Sequence, residues 1–493
     1  MVAPMQTILL LSPGRRLAKI LLTTARHLSE SFHVVVVRMS GADDAVEDER
    51  PLWNGAEGIT FYDLLAEVKA RATGDLAARA TEIEAETGLS LYRSASNHLL
   101  YQRFTAAYFH IKQPLYATEQ EIIEEYVGAH DLFNEIFDRF APVLAFCETP
   151  DTISYRLAQA MGRKRGTFVL GNAFNNIFGD GIAYFTYGSN RRSPLLEHYY
   201  RNPSLIDAAS FARADALIAK LSNTGLHDAH YVEYHKTRIS GRAPLPARVM
   251  RGWRKLHSPA TYRGLPSRLV HERNRRWLDA SMKRAVPEGR YILVSLHYQP
   301  EASTTMVAPR WIDQDSVVEQ LATNAPRGIR IAVKENPKQF GSRGEEYYWK
   351  LSVLPNVDLI HPTVSNSALL QGAEAIFPIA GTAGMEGIAL GKKVAVLGRP
   401  SYDIYKGVRR LDYPEDVFRH LADTAWRPHS MLDERRTFLA AMAQGCHPLG
   451  TPQPNTPWPL PEDAGVHYAR ALQRFSAMVQ SGELRTEQIN AAL

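Results

Sequence analysis

At 493 residues the chain is too long for a single hydrophobic core, and a composition that is 45% hydrophobic and 22% charged is ordinary for a soluble globular protein, so two domains are expected. Its two cysteines, Cys147 and Cys446, stand far apart and outside any metal-ligand spacing, which excludes a disulfide framework and a zinc site, sets the metal expectation at none, and fits the cytoplasm. The net charge of +5 makes nucleic acid a conceivable anionic partner, but aromatic stacking platforms and known binding modules are missing, so no nucleic acid is expected.

The opening MVAPMQTILLLSPGRR places its arginines after the apolar run, the reverse of a signal peptide, and reads as a first core strand. No window approaches the roughly 18 unbroken apolar residues of a spanning helix, so any membrane contact would be peripheral, at the inner face of the cytoplasmic membrane. QTILLLS, the helical pattern RRLAKILLTTARHL and HVVVVRM together read as a β-α-β unit. Its turn, SPGRR, lacks G-x-G-x-x-G, which sets NAD enzymes aside. From about Phe61 to Phe140 the pattern is mostly helical, with apolar positions at three- and four-residue spacing as in EQEIIEEYVGAHDLFNEIFDRF. The strand PVLAFCE then delivers Glu148 and Asp151 to its end, ahead of the helix TISYRLAQAMG. Asp151 can equally cap that helix and Glu148 can be an exposed strand-end charge; Asp180, between two glycines, reads as a turn residue.

From Lys236 to Arg290 arginines dominate, including Arg248, Arg251, Arg254, Arg273, Arg275 and Arg276. The segment reads as a solvated linker and helix, or as a surface attracted to anionic lipid head groups. Four strands follow. RYILVS runs into a polar loop holding His297, Gln299, Glu301, Ser303 and Thr304; IRIAVKEN ends on Lys334, Glu335 and Asn336; VDLIHP ends at His361, with Ser365 as N-cap of NSALLQGAE; AEAIFPIA ends on Gly381, Thr382, Ala383 and Gly384. The helix MEGIALG then opens with Glu386 in its first turn, where free N–H groups and the positive dipole end suit a phosphate, and a carboxylate can accept hydrogen bonds from ribose hydroxyls. His297 can also be a packing histidine, Lys334 a strand-end cation, and His361 before its proline a structural residue. Beyond His447 a proline-rich stretch leads to a final amphipathic helix, HYARALQRFSAMVQ.

The order and spacing of LHYQPEAST, VKENPKQ, LPNVDLI and IAGTAGMEGIALGKKVAVLGRPSYD resemble the C-terminal half of bacterial capsule-polysaccharide biosynthesis proteins, a family similar to retaining transferases of 3-deoxy-manno-octulosonic acid (Kdo). The likeness covers roughly Arg290 to Gly407, about a quarter of the chain. It implies an α/β, GT-B-like fold of two Rossmann-like domains facing a cleft, with a helical insertion in the first. The implied organisation is an acceptor domain over residues 1–235, a basic linker and helix over 236–288, a nucleotide-sugar domain over 289–445, and a proline-rich segment with a crossing helix over 446–493. It implies a glycosyltransferase that uses a CMP- or UDP-sugar as donor substrate, with no cofactor, and a glycan or glycolipid acceptor. Donor binding then falls to Lys334, Asn336, His361, Ser365, Gly381, Thr382, Ala383, Gly384 and Glu386. Glu148, Asp151, His297 and Glu301 are the catalytic candidates, because sugar transfer needs a group that manages charge at the anomeric carbon. The family carries Lys-x-His-Pro where this chain has Lys334-Glu335-Asn336-Pro337, and an amide can neither carry charge nor shuttle a proton, which argues against a Kdo-type donor. Without a D-x-D motif at a strand end, the expected mechanism is metal-independent. The rival readings are a GT-B-type sugar-nucleotide 2-epimerase and a non-catalytic polysaccharide-assembly subunit.

Overall fold

The computed structural model describes residues 5–12, 16–39, 53, 57–108, 118–147, 152–175, 177–179, 181–187, 192–222, 265–450 and 463–485. The chain divides into two compact units: Met1–Leu100, Pro114–Ile206 and Ala441–Leu493 form the first, and Tyr101–Gln113 with Asp207–Ala440 the second.

In the first unit, the runs TILLLS and HVVVVR carry no alternation because both their faces are covered, as interior parallel strands require. They form β1 (Thr7–Ser12) and β2 (His33–Arg38), which pair in parallel with Leu9 opposite Val35. With β3 (Ile59–Asp63), β4 (Leu144–Cys147), β5 (Phe168–Phe174), β6 (Ile182–Tyr187) and the late strand Cys446–Pro448 they make a seven-stranded sheet. Its order from one edge is β3-β2-β1-β4-β5-β6 and then the late strand; the last two join antiparallel. β3 replaces the start of the expected helical stretch. Ile59, Thr60, Phe61 and Tyr62 have the branched and aromatic side chains that suit a strand beside β2, and Asp63 then caps the helix Leu64–Arg71 through a 3.2 Å bond from the Leu65 N–H. The helix Glu119–Phe140 opens with a Thr118–Glu121 capping box and buries Tyr126, Phe133, Ile136 and Phe137 in one core with Leu9, Leu11, Val35 and Val37. The final helix, Ala464–Gln480, lies on the helix Arg16–Leu28, where the Thr24 hydroxyl donates to the Gly465 carbonyl at 3.1 Å. A Cβ on Gly465 would stand 2.5 Å from the Ile20 carbonyl oxygen, so only glycine permits that approach.

The second unit has six strands, all parallel: β7 (Arg290–Ser295), β8 (Ile329–Lys334), β9 (Val357–Ile360), β10 (Ala375–Ile376), β11 (Lys393–Val396) and β12 (Val408–Arg410). Their order is β12-β11-β10-β7-β8-β9, the Rossmann wiring in which the chain reverses direction across the sheet between its first and fourth strands. That switch point lies between β7 and β10.

Two boundaries differ from the sequence reading. The helix Ala208–Ser222 belongs to the second unit, where the Gln371 amide donates to the Leu221 carbonyl at 3.2 Å. The helix Leu265–Ser281, read as part of a separate basic linker-and-helix segment, contributes Leu278 to the second unit's core, and the chain after it joins the sheet through Lys283, whose carbonyl accepts the His361 N–H at 2.9 Å. Residues 236–264 lie outside the described residues. Among the described residues no helix is long and apolar enough to cross a membrane.

Candidate functional site at the switch point of the second sheet

In open parallel sheets ligands bind beyond the carboxyl ends of the strands at the switch point, so the loops after β7 and β10, and after their neighbour β8, are where a site is expected. Two of the expected residues, Lys334 and Glu386, meet through one that sequence reasoning passed over. Lys334, buried at the end of β8, donates from Nζ to Asn366 Oδ1 at 3.3 Å. Asn366 donates from Nδ2 to Glu386 Oε2 at 2.6 Å. The half-buried Glu386 stands in the first turn of the helix Ala383–Ala389. Cation, amide and carboxylate are thereby linked across three connections of the sheet. Ser365 is the N-cap of the helix Asn366–Gly372, its hydroxyl accepting the Ala368 N–H at 3.3 Å, and so sets where Asn366 begins.

The turn after β10 is shaped by two side chains behind it. Nε2 of His297 accepts the Ala380 N–H at 3.1 Å, and a Cβ on Gly381 would fall 3.1 Å from the same ring. At Gly384 a Cβ would fall 2.4 Å from the Tyr402 hydroxyl oxygen, and that hydroxyl donates to the Gly381 carbonyl. Gly384 is thus required by packing inside the unit, where valine would have to displace the Tyr402 ring, while a side chain at Gly381 would crowd the His297 ring by a few tenths of an ångström. Thr382 is exposed, whereas Ala383 is buried. The Gly384 and Met385 N–H groups bond to the Gly381 and Thr382 carbonyls at 3.2 and 2.9 Å, so the helix start offers fewer unengaged amides than its sequence promised.

The remaining candidates hold local structure. His361 is buried, with Nδ1 against the Thr363 hydroxyl at 2.6 Å and Nε2 against Asp279 at 3.0 Å, its ring edge-on to Phe340. Burial, followed by the Arg284 charge, holds its pKa below the ordinary histidine value. Asn336 uses Oδ1 to accept the Lys338 N–H at 3.0 Å, a local turn that any asparagine favours before a helix-breaking proline. The exposed Glu301 accepts from the Ser303 hydroxyl at 2.6 Å. Nearby, Lys338 places its ammonium 3.8 Å from the centre of the Tyr298 ring, joining the loops after β8 and β7; nothing in the linear pattern paired those two residues.

Glu148, Asp151 and Asp180 lie outside the described residues. The strand before the first two ends as expected, with Cys147 opposite Leu11 of β1, and the cap of the next helix is Thr152, whose hydroxyl accepts the Tyr155 N–H at 3.1 Å. On the basic helix Arg273 reaches Glu345 at 3.7 Å, while Arg275 and Arg276 reach Glu272 at 3.7 and 3.6 Å, so acids temper the run; Arg273 and Arg276 remain exposed.

Residues 251–442 match the family model described as "Capsule polysaccharide biosynthesis protein". No curated protein matches the chain. Among solved structures it is similar to the KpsC β-Kdo 2,7 transferase of Thermosulfurimonas dismutans at 13% identity, covering 73% of this chain and 91% of that one with a TM-score of 0.37. A UDP-GlcNAc 2-epimerase from Neisseria meningitidis bound to UDP-GlcNAc is 13% identical, over 95% of this chain and 100% of that one, at a TM-score of 0.28. Anabaena HepE in complex with UDP is 11% identical, over 97% and 100%, at 0.30. At such identities and TM-scores none of these likenesses carries weight for function.

Proposed function

We propose, from the premise that residues 251–442 belong to the capsule polysaccharide biosynthesis protein family, that the chain is a glycosyltransferase drawing on a CMP- or UDP-linked sugar to extend a capsule or other surface polysaccharide. The observation that supports this reading is the Lys334–Asn366–Glu386 chain at the switch point of a Rossmann-wired sheet. In this reading Glu386 accepts hydrogen bonds from the vicinal hydroxyls of the ribose, for which a carboxylate has the acceptor capacity. Asn366 holds that carboxylate in place, and the Lys334 ammonium, largely withdrawn from water, offsets the charge that grows on the departing phosphate. The acids after β4, Glu148 and Asp151, are the candidates for managing charge at the anomeric carbon. The exposed Arg273 and Arg276 support weak association with an anionic membrane, which sedimentation with anionic liposomes at two salt concentrations tests: equal sedimentation of the parent and of a variant with both arginines changed to glutamate removes it.

Product analysis with a panel of CMP- and UDP-sugars and an oligosaccharide or glycolipid acceptor tests the main reading. Sugar transferred to acceptor supports it. An epimerised donor, or an unchanged donor under conditions where the nucleotide binds, overturns it in favour of an epimerase or a non-catalytic subunit respectively.

A further inference from the structure

We propose that Arg343, fully buried beneath the loops that follow β7 and β8, is a positioning residue for the turn after β10 and acts on it through His297; the consequence for ligand binding rests on the donor-site reading above. Arg343 precedes the helix Glu345–Ser352. Its Nη1 donates to both carboxylate oxygens of Glu335, at 2.7 and 2.5 Å, with both side chains wholly excluded from solvent. Its Nη2 donates to the His297 carbonyl at 2.6 Å and to Gln299 Oε1 at 3.2 Å. The Tyr348 hydroxyl donates to Glu335 Oε2, which also accepts from Arg343, the Tyr347 ring centre lies 4.9 Å from the guanidinium carbon, and Asn274 donates to the Arg343 carbonyl at 3.2 Å. One rigid planar fork therefore ties the loop after β7 to the loop after β8, a geometry that a lysine's single ammonium cannot reproduce.

His297 passes that constraint on. Its N–H donates to Gln314 Oε1 at 2.7 Å and its carbonyl also accepts from Gln314 Nε2 at 3.3 Å, so its backbone is held from two sides and the ring direction follows. Nε2 accepts the Ala380 N–H, which requires the ring proton to sit on Nδ1, and the ring fills the space that Gly381 leaves by lacking a side chain. If the His297 backbone shifts, the Ala380 N–H loses its acceptor within a buried region and the turn carrying Gly381 and Thr382 must move. A pair serving the fold alone would need only Glu335 opposite the cation; here half of the guanidinium is directed at the backbone of a residue that touches the turn.

Two variants of the full chain separate positioning from folding. Arg343→Lys keeps a cation beside Glu335 but loses the two-armed grip. The double variant Glu335→Met with Arg343→Met removes the pair together, which avoids leaving one buried charge alone. Nitrogen-15 NMR of labelled histidine, with His297 assigned from a His297→Gln variant, reads the tautomer, and calorimetric titration with UDP and CMP reads the turn. Both variants are expected to unfold cooperatively like the parent, to lose the dominance of the Nδ1-protonated form at His297, and to bind whichever nucleotide the parent binds about 10-fold more weakly or worse. Folded variants with parental His297 resonances and parental affinity overturn the proposal, and so does failure of both variants to fold, which would make Arg343 a folding residue. If the parent binds neither nucleotide, the donor-site reading fails by itself, and the His297 spectrum still decides whether Arg343 positions the ring.

Discussion

In the second unit the connections leaving β7, β8, β9 and β10 are tied together by side-chain hydrogen bonds through Lys334, Asn366, Glu386, His297 and Arg343, whereas the first unit buries His447, on the strand at one edge of its sheet, with both ring nitrogens lacking a hydrogen-bond partner. The two sheets share the order 3-2-1-4-5-6 through their first six strands. The groups named in the second unit stand at or beyond strand ends and hold loops to one shape, as a ligand site requires, although that sheet also buries Asp358 within β9 and the first sheet has a strand-end pair of its own, Arg38 with Asp63 at 3.2 Å. His447, by contrast, sits against Phe185 and Tyr468, where its polarity costs stability. Burial, reinforced by the Arg474 charge, pushes its pKa down to about 3. In the same unit His98 is pushed down to about 4 by burial and then by Arg156.

The contrast can be broken most sharply by a function found in the first unit. If Glu148 or Asp151 acts in the chemical step, Glu148→Gln or Asp151→Asn should lower turnover by about 100-fold or more while leaving donor affinity near the parental value. Near-parental turnover in both would send the search to Glu301 and Asp180. Next in size is the donor network. Glu386→Gln or Lys334→Met should weaken nucleotide binding about 10- to 100-fold by calorimetry, the worth of one hydrogen bond to a charged group, without an equal loss of thermal stability. A matching loss of stability would make the network a packing device like the one around His361.

Acid sharpens the comparison from the other side. A histidine whose pKa is about 3 when folded and about 6.5 when unfolded contributes fully above pH 6.5 and is a growing penalty as the pH falls from 6.5 towards 3, because the unfolded chain takes the proton first. At pH 5 this term is about 2 kcal/mol for His447, so His447→Phe, which suits the neighbouring rings, should recover roughly that amount relative to its effect at pH 8 in denaturant titrations. An equal shift at both pH values would show that the ring is hydrated or bonded in solution. Smallest of all, Arg276→Gln should change stability by less than about 0.5 kcal/mol, since its 3.6 Å pair with Glu272 lies on an exposed side chain.

The strands β7 to β10 of the second sheet were legible because each is a short apolar run that ends on polar residues, and the Ser365 cap was legible from its place before a helical pattern; β12, Val-Arg-Arg, has no such run and was not read. Tertiary partners were not. Asn366 looked like any residue in a first helical turn, since Lys334 and Glu386 stand 32 and 20 positions away and only folding brings them to it. Arg343 sits in GSRGEE, whose charge and glycines read as surface, and no local signal announces that Glu335 will draw it into the core. His297 left two readings open; the structure has it backing the turn after β10 through Ala380 and Gly381. The strand Ile59–Asp63 was hidden because a five-residue run beside a long helical stretch adds little periodicity of its own.

The central claim, that a nucleotide sits at the switch point of the second sheet, is tested most directly by hydrogen–deuterium exchange of the full chain with and without UDP and CMP. Protection by one of them is expected to concentrate in the segments that follow β7, β8 and β10 and in the helix Asn366–Gly372, with the first unit's sheet unchanged. Protection confined to the first unit, or none from either nucleotide at millimolar concentration, would contradict it.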